Sequence, residues 1–213
     1  VRDPVDPANR GVFAFNRAVD AYTLKPIARG YRKLPEGVQD GVGNFVRNFG
    51  EPKVFVNDVL QGNARRSLNT LGRFGLNSTV GLLGIFDVAR HAGLPYHAAD
   101  FGQAFGVWGI ADGPILELPL LGSSNSRDAV GRAAGLFLNP LGGTGSDTVQ
   151  TLATAKTVGG AVDGRAEALP LTDKLEGSAD YYADLRDSIA GRRARLVMDG
   201  RLGERVRANP MWA

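Results

Sequence analysis

The sequence contains no cysteine among its 213 residues. Disulfide bonds, thiolate metal sites and a cysteine-linked lipid anchor are therefore absent from the chain as given. The sequence also lacks an uninterrupted apolar run of about 20 residues, the length that a helix needs to cross a bilayer. The chain opens directly on VRDPVDPANR, in which we identify no signal peptide.

Motifs for catalysis and metal binding are also missing. The two histidines, His91 and His97, do not belong to an H-E-x-x-H pattern, and the ligand spacing of a structural zinc site is absent. There is no G-x-S-x-G nucleophile motif. The glycine-rich segment 142–147 is not followed by the lysine of a phosphate-binding loop. We therefore expect no metal, no cofactor and no catalysed reaction.

Neither sign of charge dominates, because 25 basic residues stand against 22 acidic ones and only five of the basic residues are lysine. Arginine favours bidentate contacts with phosphate and carboxylate, so nucleic acid and phospholipid headgroups are both chemically suitable partners. No helix-turn-helix pattern accompanies the basic residues, so we expect no nucleic acid partner. A solvated helix face is the alternative for the C-terminal arginines, which are Arg186, Arg192, Arg193, Arg195, Arg201, Arg205 and Arg207.

Apolar residues recur at helical spacing along most of the chain, which predicts an all-α, single domain of many short helices. The first stripe runs from Val12 to Tyr22, and a second from Val38 to Phe49 is expected to end at the Gly-Glu-Pro of 50–52. Segment 53–62 fits a short strand or a helix, and the lack of an alternating partner favours the helix. No strands are expected.

The later part of the sequence predicts five further helices. They include Leu68–Phe74, 82–93, 124–140 and a last helix from about Ser178. The long helix predicted over 142–170 contains two adjacent glycines that suggest a kink. Its inward-facing residues are expected to be Val149, Leu152, Val158, Val162 and Leu169.

Three segments without charge stand out, at 74–86, 101–111 and 133–146. Runs of this length are typical of core helices and of interfacial segments. Burial in the core explains them, and so does insertion into one membrane leaflet. The second explanation also accounts for the 29 glycines, because helices that pack in lipid select small residues at their contacts.

Six blocks, in order, resemble the MlaA/VacJ family of Gram-negative outer-membrane lipoproteins. They are DPVDPANRGVFAFNRAVDAYTLKPIA, GVGNFVRNFGEPKVFVNDVLQG, RFGLNSTVGLLGIFDVA, DFGQAFGVWGIADGP, LPLLGSSNSRD and DYYADLRDSIAGRR. The blocks cover roughly residues 3 to 200 in collinear order. A family domain is therefore expected over 1–213.

The resemblance implies a ring of helices lying flat in the inner, periplasmic leaflet of the outer membrane. The ring is expected to enclose an amphipathic channel that takes mislocalised phospholipids from the outer leaflet to a soluble periplasmic carrier. Family members associate with trimeric outer-membrane porins, are anchored by a lipidated N-terminal cysteine that this chain lacks, and catalyse no reaction. The alternative is a periplasmic scaffold that binds porins without moving lipid.

The resemblance also implies roles for particular residues, each with a plainer alternative. Polar residues of the family blocks are expected to line or support the channel, although buried polar residues more often bind backbone. Two glycines are expected to be hinges of a mobile hairpin loop, with an ordinary turn as the alternative. The polar set is Asn44, Asn48, Glu51, Asn57, Gln61, Arg73 and Asn77, the hinges are Gly109 and Gly113, and the expected membrane contacts are Phe74, Leu82, Leu83, Ile85, Phe86, Phe105 and Trp108.

Overall fold

The computed structural model describes residues 5–137 and 146–202. These two ranges contain nine helices and one antiparallel hairpin of two strands. The prediction of a mainly helical chain is therefore confirmed. The elements are α1 Asp6–Tyr22, α2 Leu24–Tyr31, α3 Glu36–Leu60, α4 Ala64–Thr79, α5 Val88–His91, α6 Phe101–Val107, β1 Ile115–Leu118, β2 Gly122–Asn125, α7 Ser126–Phe137, α8 Asp147–Leu175 and α9 Tyr181–Leu202.

Helix α3 continues through the Gly-Glu-Pro of 50–52, so the predicted helix end there is wrong. A proline inside a helix costs about 3 kcal/mol because it removes one hydrogen bond and crowds the preceding turn. Here α3 packs against both α4 and α8, and this tertiary packing outweighs the local cost. Segment 53–60 is helical, as predicted.

The helix predicted over 82–93 is mostly absent, because only Val88–His91 is helical. The segment before it turns back on itself through left-handed backbone at Leu82, Leu83 and Gly84. A Cβ atom on Gly84 would lie 2.2 Å from the Cβ of Asn48. The turn therefore depends on glycine at this position, which helical spacing does not reveal.

The hairpin is the second difference from the sequence prediction. Ile115 pairs with Asn125 and Leu118 with Gly122. Strands of four residues are too short to give a recognisable alternation, so the expectation of no strands is wrong. Helix α1 covers this hairpin: the Asn9 side chain donates to the carbonyl of Ile115 at 3.2 Å and accepts from the backbone of Glu117 at 3.0 Å.

Contacts between the elements form a closed circuit. Helix α1 packs on α2, α2 on α8, α8 on α3, and α3 on α6. Helix α6 then packs on α7 and α9, and these return to the hairpin and so to α1. None of the described helices combines the length and the apolarity that a membrane crossing requires.

Among the described residues, the buried interior is largely polar. The cluster of buried apolar residues is small, consisting of Ala28, Ala166 and Leu169 with Tyr31 packed against it. The largest side chains that are fully buried all carry polar or charged groups, namely Arg66, Arg73, Gln103, Glu51, Asn57, Asn77, Thr70 and Asp58. This is the reverse of a water-soluble core, in which Leu, Ile, Val and Phe are the residues most often buried.

Many large apolar side chains lie on the surface of the protein instead of in its interior. The apolar stripe of α1 includes Phe15 and Tyr22, which are 53% and 87% exposed. Val158 was expected to face inward on α8 but is 60% exposed, because apolar character does not mark the inner face in this protein. Other exposed large apolar residues are Ile27, Leu68, Leu71, Leu82, Leu83, Phe86, Trp108, Leu120, Leu121, Val130, Leu136, Phe137 and Met198.

The contact between α6 and α7 requires a glycine on each helix. A Cβ atom on Gly131 would lie 2.3 Å from the backbone nitrogen of Gly102 and 2.6 Å from its Cα atom. Because backbone atoms cannot swing aside, the two helices must separate to admit a side chain.

We expect Gly131→Ala to lower the free energy of unfolding by about 1–3 kcal/mol, the usual cost of overpacking. Gly164→Ala in α8 is the matched control, because a Cβ atom there meets nothing within 4 Å. This control should gain up to about 1 kcal/mol from helix propensity. Thermal unfolding in detergent measures both variants, and equal melting temperatures would contradict the close packing.

Candidate functional site

The guanidinium of Arg73 lies at the centre of a buried polar network. It donates to the Glu51 carboxylate at 2.8 Å, to the carbonyl of Leu94 at 2.6 Å and to the Asp87 carboxylate at 3.1 Å. Asn77, one turn further along α4, donates to Asp87 at 3.0 Å and accepts from the backbone of Ala89 at 2.9 Å. These contacts join α3, α4, α5 and the segment that follows α5.

The two carboxylates of this network have different pKa directions. Burial raises the pKa of Glu51 to about 7, against the opposing hydrogen bond and charge of Arg73. Burial also acts to raise the pKa of Asp87, but hydrogen bonds from Asn77 and Arg73 lower it overall. Asp87 is therefore the firmly ionised partner of Arg73, and Glu51 is the carboxylate closest to protonation.

A second buried cluster lies further along the same face of α4. The carboxylate of Asp58 accepts from the Thr70 hydroxyl at 2.6 Å and lies 2.9 Å from Nε2 of His97. All three residues are buried. The sequence does not predict this cluster, because Asp58, Thr70 and His97 are far apart along the chain and His97 belongs to no metal motif.

A cavity of about 170 Å³ lies between α3, the hairpin, α7 and α9. Arg193 crosses one side of it, with two bonds to Asp100 at 2.6 and 3.0 Å and one to Asp128 at 2.7 Å. The residues that line it include four cations and two carboxylates. They are Lys53, Asp100, Ile115, Ser123, Ser124, Asn125, Asp128, Gly131, Arg132, Arg186, Ile189, Ala190 and Arg193.

Known proteins are similar to this chain in sequence and in fold. The MlaA lipoprotein family matches residues 1–195. The chain belongs to the MlaA family. The Intermembrane phospholipid transport system lipoprotein MlaA of Escherichia coli K12 is 31% identical over 205 residues, covering 94% of this chain and 80% of that protein. A Rickettsia felis protein is 37% identical over 194 residues, covering 89% of this chain and 75% of the relative.

A solved structure has the same fold. It carries the description "Structural basis for maintenance of bacterial outer membrane lipid asymmetry" and matches with a TM-score of 0.78 and 30% identity. The match covers 92% of this chain and all of the solved chain. The MlaA fold predicted from the resemblance is therefore confirmed.

Most of the seven polar residues predicted for the channel make contacts inside the protein. Glu51, Arg73 and Asn77 belong to the network described above. Asn48 donates to the Ser78 hydroxyl at 3.0 Å and to the carbonyl of Leu83 at 3.2 Å. Asn44 donates to the carbonyl of Ile85 at 3.2 Å, and Asn57 to that of Lys53 at 2.8 Å.

Gln61 differs from the other six. Its side-chain nitrogen and oxygen are buried and have no hydrogen-bond partner in the part of the chain that the structure describes. It lies against Gly200 of α9, where a Cβ atom would be 2.7 Å from the Gln61 oxygen. Supporting contacts therefore account for six of the seven residues, and a role in lining a channel stays a prediction for all of them.

The predicted hinge glycines lie in the loop that joins α6 to β1. Both have left-handed backbone, with φ of 93° at Gly109 and 70° at Gly113. Arg127, at the start of α7, fastens this loop by an ion pair with Asp112 and a hydrogen bond to the carbonyl of Ile110. A hinge movement of the loop stays a prediction.

Six of the seven predicted membrane contacts are exposed apolar side chains. The exception is Phe105, which is partly buried and packs against the Trp108 ring at 5.6 Å between centroids. The exposed ones are Phe74, Leu82, Leu83, Ile85, Phe86 and Trp108. Their position suits a lipid contact, which stays a prediction.

Replacing Arg73 tests how far the fold depends on the buried network. Arg73→Gln would leave two carboxylates facing each other in the interior, so we expect a loss of about 3–5 kcal/mol in unfolding free energy. Arg29→Gln is the control, because this guanidinium is 58% exposed and pairs with Asp173 at 3.5 Å; it should cost less than about 1 kcal/mol. Denaturant unfolding in detergent measures both, and similar losses would contradict the assigned role.

The raised pKa of Glu51 makes stability depend on pH. The folded protein holds this proton up to about pH 7, whereas the unfolded chain releases it near pH 4.5. The contribution of Glu51 to stability is therefore full below this interval and is lost as the pH rises through it. Glu51→Gln should flatten the fall in melting temperature between pH 5 and pH 8, and parallel curves for the variant and the wild type would refute this assignment.

Proposed function

We propose that this chain removes mislocalised phospholipids from the outer leaflet of the outer membrane and passes them through an amphipathic channel to a soluble periplasmic carrier. Its relatives in Escherichia coli, Shigella flexneri and Haemophilus influenzae are named as lipoproteins of an intermembrane phospholipid transport system. The similar solved structure concerns outer-membrane lipid asymmetry. Family membership is the first support for the proposal.

The observation that carries the proposal is the inverted distribution of side chains. Fully buried charged and amide groups occupy the interior, while large apolar groups lie on the outside. A phospholipid crossing a leaflet needs a polar path for its headgroup and apolar surroundings for its acyl chains. A closed circuit of helices with this distribution offers both at once.

The same distribution supports a position within one leaflet. Exposing Phe15, Tyr22, Leu82, Leu83 and Phe86 to water forgoes about 25 cal/mol for each Å² of apolar surface. Contact with acyl chains recovers this energy, and helices that lie along the membrane do not have to cross it. We therefore propose that the chain sits in the periplasmic leaflet of the outer membrane.

The partners follow from the resemblance. We propose that a trimeric porin holds the ring in the membrane and that a lipidated N-terminal cysteine anchors the full-length protein. The domain is proposed to extend over 1–213. We propose, as the resemblance implies, that the chain moves lipid without catalysing a reaction.

Three groups of residues are proposed to act in transport: the polar set, the two hinge glycines and the exposed apolar side chains. We propose that the Asn44 to Asn77 polar set supports the wall of the channel by holding the 80–86 turn and the ends of α4 and α5. Gly109 and Gly113 are proposed to let the α6–β1 loop move at the channel entrance. The exposed apolar side chains are proposed to contact lipid; they are Phe74, Leu82, Leu83, Ile85, Phe86 and Trp108.

A complementation experiment tests the transport function. Deleting the gene should raise the amount of phospholipid at the cell surface, measured by phospholipase access to intact cells, and the wild-type gene should restore the low level. Gly109→Val should change the surface phospholipid level, because a branched side chain is strained in left-handed backbone. Unchanged surface phospholipid in the deletion strain would remove the proposal.

The control and the scaffold alternative use the same strains. Gly93→Val is matched, since Gly93 also has left-handed backbone, at φ 77°, and a Cβ atom there, as at Gly109, meets nothing within 4 Å; it lies in the turn after α5. It should complement like the wild type. If Gly109→Val abolishes porin co-purification and leaves surface lipid unchanged, the protein is a scaffold.

A further inference from the structure

The loop that joins α6 to β1 has little packing of its own. Residues 108–114 are all exposed, and Ile110 keeps 49% of its surface in contact with solvent. Gly109 and Gly113, both with left-handed backbone, lie near the two ends of this loop. Segments with few buried contacts have low local stability and can move while the surrounding fold stays closed. The position of this loop therefore depends on a small number of polar contacts.

Fixed contacts bound the loop on both sides. The indole nitrogen of Trp108 donates to the carbonyl of Leu60 at 2.8 Å, which attaches the first end to α3. At the other end, the carbonyl of Pro114 accepts from the backbone nitrogen of Ser126 at 3.1 Å and from the Ser126 hydroxyl at 3.2 Å. A change of conformation can therefore be confined to residues 109–113, between these two attachments.

Arg127 is the side chain that holds the segment between the two glycines. Its guanidinium forms an ion pair with the Asp112 carboxylate and donates to the carbonyl of Ile110 at 3.4 Å. Its backbone nitrogen donates to the carbonyl of Asp112 at 3.2 Å. Within residues 5–137 and 146–202, no other side chain makes a hydrogen bond to residues 109–113. Loss of the Arg127 contacts would therefore leave this segment without a side-chain attachment.

The guanidinium of Arg127 is itself held firmly. Its Nε and Nη2 atoms donate to the Asp128 carboxylate at 3.1 and 3.0 Å, and Asp128 also accepts from Arg193 at 2.7 Å. A Cβ atom on Gly106 would lie 3.0 Å from Nη1 of Arg127, so bare backbone leaves room for the group. The Arg127 side chain is only 4% exposed. If the contact between Arg127 and the loop breaks, the loop is therefore the part that moves.

The two carboxylates bound to Arg127 differ in their access to water. Asp128 is buried, whereas the side chain of Asp112 is 63% exposed. When Asp112 leaves, water can hydrate its carboxylate, and Arg127 still has Asp128 as a counter-ion. The large penalty for an unpaired buried charge is therefore avoided. This asymmetry makes the contact with Asp112 reversible and the contact with Asp128 permanent.

We propose that Arg127 is a positioning residue for the α6–β1 loop and that its ion pair with Asp112 is a latch that holds the loop in one conformation. This inference rests on the proposed transport function, in which the loop moves at the channel entrance. The latch is the contact that has to break before the loop can turn about Gly109 and Gly113. Salt weakens an ion pair that has an exposed partner, so release of the latch should depend on ionic strength.

A spin label on the loop tests the latch directly. Because the chain has no cysteine, Ala111→Cys gives a single site for a nitroxide, and the protein is studied in detergent micelles by EPR. Asp112→Asn should raise the ratio of mobile to immobile label about two- to fivefold, the range for an exposed ion pair. Asp112→Glu should keep the label as immobile as in the wild type, because it restores the charge.

Salt provides a second measurement on the same labelled protein. Raising sodium chloride from about 0.05 M to about 0.5 M should increase the mobile fraction in the wild type, because the Debye length falls. The Asp112→Asn variant should not respond, since its latch is already lost. A wild-type spectrum that does not change with salt, or equal spectra for the wild type and Asp112→Asn, would overturn the latch.

The matched control is Asp187→Asn on α9. The Asp187 side chain is 52% exposed and accepts from Arg186 at 3.0 Å, so this variant also loses an exposed ion pair. It should leave the spectrum of the label at position 111 unchanged. Asp112→Asn should lower the melting temperature by less than about 4 °C. A larger fall would show that the ion pair holds the fold and would overturn its assignment as a latch.

The outcome is separable from that of the transport proposal. If gene deletion leaves surface phospholipid unchanged while Asp112→Asn frees the loop, transport fails and the latch stands. If the deletion raises surface phospholipid while the label stays immobile in Asp112→Asn, the latch fails and transport stands. In complemented cells Asp112→Asn should change the surface phospholipid level, and a freed loop with an unchanged level would remove the latch from transport.

Discussion

The rest of this structure depends on the ion pairs of Arg73 with Glu51 and Asp87. They join α3, α4 and α5 at a point where a soluble protein would place Leu or Phe. A buried charge is stable only while it is paired and hydrogen-bonded, so each polar group added to the interior has to find a partner within the chain. Neighbouring elements of the fold provide these partners. The side-chain amides of Asn44 and Asn48, for example, hold the 80–86 turn by hydrogen bonds to its carbonyl groups.

A polar interior also determines what the outside has to be. The chain is 43% hydrophobic, and many of its large apolar side chains lie on the outer surface because arginine, aspartate and amides fill much of the interior. The exposed side chains of α1, α4 and the 80–86 turn then require an apolar environment. The proposed position in one leaflet of a membrane provides such an environment, and it requires no crossing helix, which none of the described helices could supply.

The sequence predicts where most of the helices lie, but it does not predict which face of each helix is buried. Spacing of three and four located α1, α4, α7, α8 and α9, because helical periodicity holds whichever face is buried. On α4, however, Arg66, Thr70, Arg73 and Asn77 recur at the same spacing as the apolar residues, and it is this polar stripe that is buried. The 80–86 turn and the hairpin were not predictable, because left-handed backbone at Leu82 and Leu83 and pairing of four-residue strands depend on tertiary contacts. The prediction that charge-free runs contact lipid draws on the resemblance as well as on periodicity, and in the run 101–111 the structure buries Phe101, Gln103 and Ala104 instead.

Arginine pairs join the helices of the interior. Arg73, Arg127 and Arg193 each bind two carboxylates, which suits a planar group with several donors in fixed directions. These arginines join helices through their ion pairs, and moving any one of the arginines would leave carboxylates unpaired. A transported lipid cannot compete for such groups without loosening the fold.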